Sequence, residues 1–411
     1  MSARVCDLGS LMPVDEAIRR LLDQAPPPPP GQMIDLDQAL GRVLACDIHS
    51  PVNLPAWDNS AMDGYALRAA DLPAEGGWLP LGGRIAAGDQ AGSPLLAQQT
   101  VQIFTGAPLP SGADTVVPQE RCRVEGERVC FPAVSPGDHV RKLGEEVRRG
   151  DLLLQAGKRL RAQEVGLLAG AGIARVEVYR PLQVCLLSSG NELREPGEAL
   201  APGQIYNSNR HCLAALLRGW GVEVHDYGVM ADELAASRHA LSLASSECDL
   251  LLSSGGVSVG GEDHLKQAIE ELGRIDFWRL AIQPGKPLAF GDVAGKPWIG
   301  MPGNPSAALI TALVVVRPLL LRAQGVTDVL PLPLSVPAGF DWLQRNKRRQ
   351  YLRARLIPGT DGQLRVELHP QQSSAMLTAA CWADGLAVIE CEQQVQKHDN
   401  VMFLSFADLM H

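Results

Sequence analysis

The chain has 411 residues, of which 46% are hydrophobic and 20% are charged, a composition typical of soluble folded protein with several cores. At roughly 100–200 residues per domain, this length predicts two to four domains. The net charge of −9 lacks the basic footprint of a nucleic-acid-binding protein and argues against a nucleic-acid partner. An anionic ligand would therefore depend on local binding features.

The nine cysteines are scattered along the chain and form no C-x-x-C spacing. This pattern predicts reduced thiols in a cytoplasmic protein, with no disulfide framework and no zinc site. The N-terminus lacks the basic-then-apolar pattern of a signal peptide. The longest apolar run, near Ala307 to Val316, is shorter than the ~20 residues that a membrane span needs. We therefore expect no membrane association.

The first 180 residues combine helical and β patterns. Pro13 suits the first position of a helix, and the run Pro26 to Pro30 predicts an extended spacer. Apolar residues at helical spacing predict two helices, one from Ala17, Ile18, Leu21 and Leu22 and one from Leu36, Leu40, Val43 and Leu44. Between about Asp71 and Gly144, short apolar runs between glycines and prolines predict a small β-rich domain, and Gly126 marks a hairpin. Helical character returns near residues 162–171.

From Pro181 to about Gln324, strand and helix patterns alternate. The predicted strands are Val184–Leu187, Val222–Val224, Asp249–Leu252, Phe277–Ile282 and Leu288–Phe290, and the predicted helices are Asn209–Gly219, Asp232–Ser245, Asp263–Leu272 and Pro305–Ala323. This alternation predicts a multi-domain α/β protein whose central domain is an open, mostly parallel sheet with helices on both faces. The remaining residues return to strand patterns, including a hairpin around Asp361-Gly362.

Two Ser/Gly loops follow predicted strands of this domain, Ser188 to Glu192 and Ser253 to Gly260. In open α/β sheets, ligands bind at the carboxyl ends of the strands. Glycines let backbone N–H groups point at one anion, and a following helix adds its positive end, so the loops predict a phosphate cradle. The alternative, that the glycines only permit tight turns, stays open at this level.

Three carboxylates, Glu192, Asp232 and Asp263, follow strands or loops of the same sheet edge. Acids beside a phosphate would repel it unless a cation lies between them, and carboxylate oxygens suit Mg²⁺, so the pattern predicts a magnesium site. An aspartate at a helix start is also a common cap, so Asp232 and Asp263 have that alternative reading.

Two proline-glycine turns lie between apolar runs, Pro284 to Pro287 and Pro302 to Pro305. Prolines hold such turns in a fixed geometry, which suits a lysine, Lys286, that must face an oxyanion. The alternative is a plain turn with a solvated lysine.

Gly256 to Gly260 also fits G-x-S-x-G, the nucleophile turn of α/β-hydrolases. Asp276 or Asp292 with His369 or His398 would complete the order of a hydrolase triad. A polar stretch, Ser253 to Gly256, precedes the turn, however, and both histidines fall in the C-terminal β region, so the hydrolase reading is the weaker one.

Five motifs occur in order along the chain: Asp58–Ala66 (DNSAMDGYA), Phe104–Pro108 (FTGAP), Ser253–Gly260 (SSGGVSVG), Pro284–Pro287 (PGKP) and Pro302–Pro305 (PGNP). Together they resemble the molybdopterin molybdenumtransferase (MoeA) family, whose eukaryotic relatives include the E domain of gephyrin. The resemblance covers essentially the whole chain. It implies segments at 1–54 plus 145–180 (helical and linker), 55–144 (β-rich), 181–330 (α/β, molybdopterin-binding) and 331–411 (β-barrel-like).

The resemblance implies the last step of molybdenum cofactor synthesis. Adenylylated molybdopterin would bind with Mg²⁺, molybdate would enter the dithiolene, and AMP would be released. The enzyme would be a homodimer whose site is shared between subunits, with a molybdopterin adenylyltransferase and cofactor-accepting apo-molybdoenzymes as further partners. ATP-dependent adenylylation of molybdopterin is the nearest alternative activity, and a non-enzymatic scaffold is a third.

The resemblance also assigns residues, position by position. Its catalytic residues are Asp63, Thr105, Glu192, Asp232, Asp263 and Lys286, with Glu192, Asp232 and Asp263 as metal ligands. Its substrate-binding residues are Ser189, Gly190, Gly255, Gly256, Ser258, Pro302, Asn304, Pro305, Arg353 and Ser374. The basic run from Arg345 to Arg355 would add positive charge near the site, with a solvated strand face as the alternative for all of it except Arg353. This chain departs from the family pattern at Gln283 and Arg279, where a lysine is common, and at Ala307, where a serine is common.

Overall fold

The structure, a computed structural model, describes residues 11–90, 93–231, 233–255, 264–285, 287–359 and 362–410. The chain divides into two compact units. Unit 1 comprises Met1–Gln32, Gly41–Val43 and Tyr179–His411, and unit 2 comprises Met33–Leu40 and Leu44–Val178. The finer four-segment division stays a prediction.

The α-helices are α1 Val14–Asp23, α2 Ala162–Gly170, α3 Ser208–Gly219, α4 Leu234–Glu247, α5 His264–Leu272, α6 Pro305–Thr311, α7 Arg317–Ala323, α8 Leu377–Trp382 and α9 Phe406–Leu409. The strands of the first half are β1 Gly31–Asp35, β2 Ile48–His49, β3 Asn59–Ser60, β4 Gly64–Leu67, β5 Gly77–Ile85, β6 Thr100–Ile103, β7 Thr115–Pro118, β8 Arg123–Glu125, β9 Arg128–Phe131, β10 Val140–Arg141, β11 Leu152–Leu154 and β12 Arg175–Tyr179. The later strands are β13 Gln183–Ser189, β14 Leu193–Arg194, β15 Ile205–Tyr206, β16 Glu223–Met230, β17 Leu250–Ser254, β18 Gly273–Arg279, β19 Ile282–Gln283, β20 Pro287–Val293, β21 Lys296–Met301, β22 Leu334–Pro337, β23 Arg349–Pro358, β24 Leu364–Leu368, β25 Gly385–Ile389 and β26 Asn400–Ser405.

Unit 2 is built on a six-stranded sheet in the order β7-β4-β6-β5-β9-β8. The predicted hairpin is confirmed, because β8 and β9 pair antiparallel on either side of Gly126. The predicted second helix is wrong. Residues Leu36–Gln38 form a single 3₁₀ turn, Gly41 follows with φ +78°, and Leu44 pairs with Val178 as an isolated bridge. The left-handed glycine ends the helical path before its apolar pattern can form a face.

The central sheet of unit 1 has the order β16-β13-β17-β21-β20-β18. Strands β16, β13, β17 and β21 are parallel, and β20 is antiparallel to both of its neighbours, β21 and β18. Successive side chains of a strand point to opposite faces of the sheet, and here they pack into two different hydrophobic cores. Leu186 and Leu252 pack with residues of α3, α6 and α7, whereas Leu187 and Leu251 pack with residues of α4 and α5. Helices therefore cover both faces, which confirms the predicted open, mostly parallel α/β domain.

The C-terminal region adds a second sheet in the order β19-β23-β25-β26-β22. Strand β24 pairs with the C-terminal half of β23, from Ala354 to Pro358. The predicted hairpin is confirmed, because β23 and β24 pair antiparallel. Strand β19, which directly precedes the Pro284 turn, pairs with Arg349 and Gln350 at the start of β23. The residues that lead into the Pro284 turn are thereby attached to the C-terminal sheet.

The segment Pro305–Ala323 is helical over 19 residues, with a π-helical stretch at Ala312–Val316 between α6 and α7. By length and composition it could cross a membrane, but 94% of its most apolar window is buried inside the protein. Such burial is typical of the central helix of a globular core.

The prediction that all cysteines are reduced is wrong for one pair. Cys185 in β13 and Cys248 at the end of α4 form a disulfide, with their Cα atoms 6.0 Å apart. They are 63 residues apart in sequence, but β13 and β17 are neighbouring strands, and Cys248 lies two residues before β17. Sequence spacing alone does not report such proximity across a parallel sheet.

Candidate functional site

The two Ser/Gly loops meet at the carboxyl ends of the neighbouring strands β13 and β17. Ser188 and Ser254 are register partners, and each strand continues directly into its glycine, Gly190 or Gly255. Gly255 has φ +86°, and a Cβ atom there would lie 2.4 Å from the carbonyl oxygen of Ser189. The loops approach each other too closely for any side chain at residue 255, which leaves backbone groups to line this edge of the sheet.

A matched pair of glycine variants tests this close approach. We expect Gly255→Ala to lower the free energy of unfolding by about 1–3 kcal/mol, because it combines a left-handed backbone with an atomic overlap. Gly303 is the control, since a Cβ atom there meets nothing within 4 Å and its φ is not positive. Urea unfolding of both variants measures the difference. Equal small changes for the two variants would contradict the close approach.

Glu192 follows the first loop, and its carboxylate lies over Gly190. A Cβ atom on Gly190 would be 2.7 Å from one carboxylate oxygen and 2.9 Å from the other. The other two predicted metal ligands, Asp232 and Asp263, lie outside the described residues. Among the residues that the structure describes, no group of three or more His, Cys, Asp or Glu side chains could hold a metal ion. The convergence of the three acids therefore stays a prediction.

The Pro302–Pro305 turn lies at the end of β21 and begins α6, with Pro305 at the first helical position as predicted. The amide of Asn304 donates to the Ser374 hydroxyl at 3.4 Å. The backbone N–H groups of Ser306 and Ala307 both reach the carbonyl oxygen of Ser374, at 2.9 and 3.3 Å. The turn and the loop that carries Ser374 are therefore joined, and the first donors of α6 are bound to protein rather than left for an anion.

Arg353 lies beside this junction and is completely buried. One guanidinium nitrogen, Nη2, donates to the carbonyl oxygen of Ser373 at 3.1 Å. Within the described residues, its Nε and Nη1 atoms have no hydrogen-bond partner. Burial lowers the pKa of Arg353 to about 10, because the charged form loses its hydration. A buried cation with two unsatisfied donors is unfavourable unless an anion completes it.

The backbone around Arg353 is held by one glutamine. The Gln372 side chain accepts from the N–H of Arg353 at 2.9 Å and donates to its carbonyl oxygen at 3.0 Å. A further buried group without a partner in the described part of the chain is the hydroxyl of Ser306, in the first turn of α6. Arg353 and Ser306 thus both present unsatisfied polar groups near the loop that carries Ser373 and Ser374.

The Pro284 turn approaches the same helix. A Cβ atom on Gly285 would lie 3.3 Å from the Thr311 hydroxyl and 3.7 Å from the Cβ of Ala307, so the turn packs on α6. Lys286 itself lies outside the described residues, as do Gly256 and Ser258. The G-x-S-x-G stretch of the hydrolase reading lies outside them too.

Gln283, which stands where a lysine is common in the family, is held by hydrogen bonds from two residues near the start of β23. Its amide oxygen accepts from Asn346 at 2.6 Å and from Arg348 at 3.1 Å. A cationic side chain of the basic run is therefore attached one residue before the Pro284 turn. Arg349 has a different role, because it pairs with Asp15 and Glu390. The solvated reading is wrong for Arg349.

Unit 2 carries the other predicted pair, Asp63 and Thr105. One carboxylate oxygen of Asp63, Oδ1, accepts from both the backbone N–H and the hydroxyl of Thr105, each at 2.8 Å. Both hydrogen bonds lower the pKa of Asp63 below its usual value, and the one from the backbone N–H of Thr105 has the larger effect. The carboxylate is thus ionised and fixed in direction, with Oδ2 unbound within the described residues. The sequence motifs predicted both residues, and the structure brings them together.

Sequence reasoning missed one residue of this region, Asn209. It is buried in the first turn of α3, and its amide nitrogen donates to the Ser254 hydroxyl at 2.9 Å and to the Gly303 carbonyl oxygen at 2.8 Å. The sequence showed it only as the start of a helix. Its partners are far away along the chain, so no local pattern could have identified it.

The fold and these loops define a multi-domain α/β protein with two Ser/Gly loops at the carboxyl ends of neighbouring strands of its central sheet. Three family models match the chain: the MoeA N-terminal region (domain I and II) over residues 12–172, a probable molybdopterin binding domain over 185–322, and the MoeA C-terminal region (domain IV) over 335–406. The chain therefore belongs to the MoeA family, and it is an enzyme of the transferase class.

Similar proteins agree with this assignment. A protein of Haemophilus influenzae named molybdopterin molybdenumtransferase is 37% identical over 386 residues, which cover 93% of this chain and 95% of that protein. A protein of the same name from a Nostoc species is 38% identical over 304 residues, covering 72% and 70%. The crystal structure of a molybdopterin biosynthesis MoeA protein from Pyrococcus horikoshii superimposes with a TM-score of 0.82 at 26% identity, covering 97% of this chain and all of that one.

Proposed function

We propose that this enzyme inserts molybdate into adenylylated molybdopterin, with Mg²⁺-dependent release of AMP. The substrate identity rests on the family and on the names of its members. The observation that carries the proposal is the buried guanidinium of Arg353, whose Nε and Nη1 atoms lack partners within the described residues. A tetrahedral oxyanion such as molybdate would supply the charge and the acceptors that this side chain lacks.

The diphosphate of the substrate would lie at the two Ser/Gly loops. Gly255 presents no side chain at this edge and lies against the Ser189 carbonyl, and the loop N–H groups would donate to phosphate oxygens. Ser189 and Gly190 would form the neighbouring wall, and Gly256 and Ser258, which lie outside the described residues, would also bind this substrate. Pro302, Asn304 and Pro305 would close the far side.

Mg²⁺ fits the donor chemistry of this edge at the one predicted ligand that the structure describes. The Glu192 carboxylate has no hydrogen bond or ion pair to any other described residue, and carboxylate oxygens are ligands that Mg²⁺ prefers. Asp232 and Asp263 would complete the set. When bound, the ion would neutralise the diphosphate and the leaving AMP.

Side chains of the protein would bind molybdate and accept the proton of the attacking water. Arg353, Ser374 and Lys286 would donate to molybdate and hold it against the dithiolene. Asp63, ionised and fixed by Thr105, would accept the proton of the water that attacks the phosphoanhydride. The adenylylated substrate would come from an ATP-dependent adenylyltransferase, and apo-molybdoenzymes would receive the product.

We further propose a homodimer in which Asp63 and Thr105 of one subunit join the α/β loops of the other. Mixing an Asp63→Asn subunit with an Arg353→Met subunit tests it. If sites are shared, each mixed dimer contains one intact site, and a statistical mixture should recover about a quarter of wild-type activity. Failure to recover any activity in mixtures shown to exchange subunits would overturn the shared site.

The competing activity, adenylylation of molybdopterin by ATP, gives a different product. Incubation with ATP and molybdopterin should yield no pyrophosphate, whereas adenylylated molybdopterin with Mg²⁺ and molybdate should yield AMP. Pyrophosphate without molybdate-dependent AMP would replace the proposed activity with the adenylyltransferase one.

A further inference from the structure

We infer that Asn209 is a positioning residue that fixes the distance between the two halves of the substrate site. This inference rests on the proposed function for its activity readout. It concerns three segments that only the fold brings together: the end of β17, the first turn of α3 and the Pro302–Pro305 turn.

The geometry of Asn209 is well defined. Its Nδ2 atom donates to the Ser254 hydroxyl at 2.9 Å and to the Gly303 carbonyl oxygen at 2.8 Å. A carbonyl oxygen can only accept, so the amide orientation is set by this contact. The residue is 9% exposed, so water competes little for these bonds.

The bonded atoms belong to segments with assigned substrate roles. Ser254 directly precedes Gly255 of the phosphate cradle. Gly303 directly precedes Asn304, which reaches Ser374 and thus the loop beside Arg353. A single buried amide therefore connects the diphosphate side of the site to the oxyanion side.

Two neighbouring asparagines separate positioning from support of the helix. Asn207 caps α3 by accepting from the N–H of Arg210 at 3.2 Å, and within the described residues its side chain makes no hydrogen bond to Ser254 or Gly303. Loss of Asn207 removes the cap and weakens the start of α3, but it leaves the Ser254 and Gly303 contacts of Asn209 in place.

The experiment compares Asn209→Ala, Asn209→Asp and Asn207→Ala in Mg²⁺- and molybdate-dependent AMP release. We expect Asn209→Ala to lower kcat on the order of 10–100-fold, because small displacements of reacting groups have effects of that size. We expect the KM for adenylylated molybdopterin to stay within about threefold, since the groups that bind each substrate part remain. Asn209→Asp keeps the size and can accept from Ser254, but it cannot donate to Gly303 when ionised, so kcat should fall similarly.

Asn207→Ala should lower the melting temperature yet retain the kcat of the folded enzyme. A wild-type kcat in Asn209→Ala, or an equal fall of kcat in Asn207→Ala, would overturn the inference.

Hydrogen exchange provides a second test, which does not depend on enzymatic activity. Amides at 254–255 and 303–307 should exchange faster in Asn209→Ala than in Asn207→Ala, and equal exchange would overturn the inference. A wild-type enzyme that releases no AMP would instead contradict the proposed function.

Discussion

Arg353→Met should strongly reduce molybdate-dependent turnover while making the protein more stable. The wild-type guanidinium is fully buried with Nε and Nη1 unpaired within the described residues, so an apolar side chain of similar length removes an unfavourable desolvated charge. We expect the free energy of unfolding to rise by about 1–3 kcal/mol. Losing the charged donor should lower kcat/KM for molybdate on the order of 10²–10³-fold. Urea unfolding and AMP release measure the two effects.

Arg349→Met provides the matched control on the same strand. Arg349 is already paired with Asp15 and Glu390, and Asp15 is largely exposed. Its loss should lower stability by about 1 kcal/mol, as for screened pairs, and leave kcat/KM for molybdate nearly unchanged. Opposite signs of the stability change in the two variants would support an unfilled anion site at Arg353. A destabilised Arg353→Met protein that still responds to molybdate would contradict it.

Asp63→Asn should stop AMP release without affecting the fold. The asparagine oxygen can still accept both donors of Thr105, so the local geometry is retained while the negative charge is lost. Removing a positioned base typically lowers kcat by about 10²–10⁴-fold. Single-turnover AMP release with saturating substrate measures this, and a circular dichroism melt checks the fold.

Thr105→Val and a pH series sharpen that test. The valine removes one donor to Asp63 but keeps the backbone N–H, so a loss of about tenfold or less is expected. The folded pKa of Asp63 is depressed, so its carboxylate stays ionised as the pH falls through the usual aspartate pKa. The negative charge is lost only when the pH falls further, through the depressed pKa. Lowering the pH from 7 to 5 should therefore cause no activity loss from Asp63. Full activity of Asp63→Asn would exclude the residue from the chemistry.

Much of the architecture was predictable because local patterns and tertiary structure agree. The strand at 184–187 and the helix at 305–323 form close to where apolar periodicity placed them, and Pro305 occupies the first helical position. The Ser/Gly loops follow their strands as the parallel-sheet rule requires. Here each local preference matches the final packing.

The remaining features depend on contacts that sequence spacing does not report. The apolar pattern at Leu36 to Leu44 is not a helix, because Gly41 turns the chain. Arg353 differs from the neighbouring arginines only through its burial on β23. Asn209 acquires its partners only when β17 and the Gly303 turn come together. Arg353 and Asn209 acquire their buried positions and partners only in the folded chain.

The central claim is oxyanion-dependent transfer, and AMP release from adenylylated molybdopterin tests it most directly. The reaction should contain Mg²⁺ and be run with and without molybdate, followed by reconstitution of an apo-molybdoenzyme with the product. We predict AMP release that requires both Mg²⁺ and molybdate, and a product that restores activity to the apoenzyme. AMP release that is indifferent to molybdate, or no release by well-folded protein, would contradict the account.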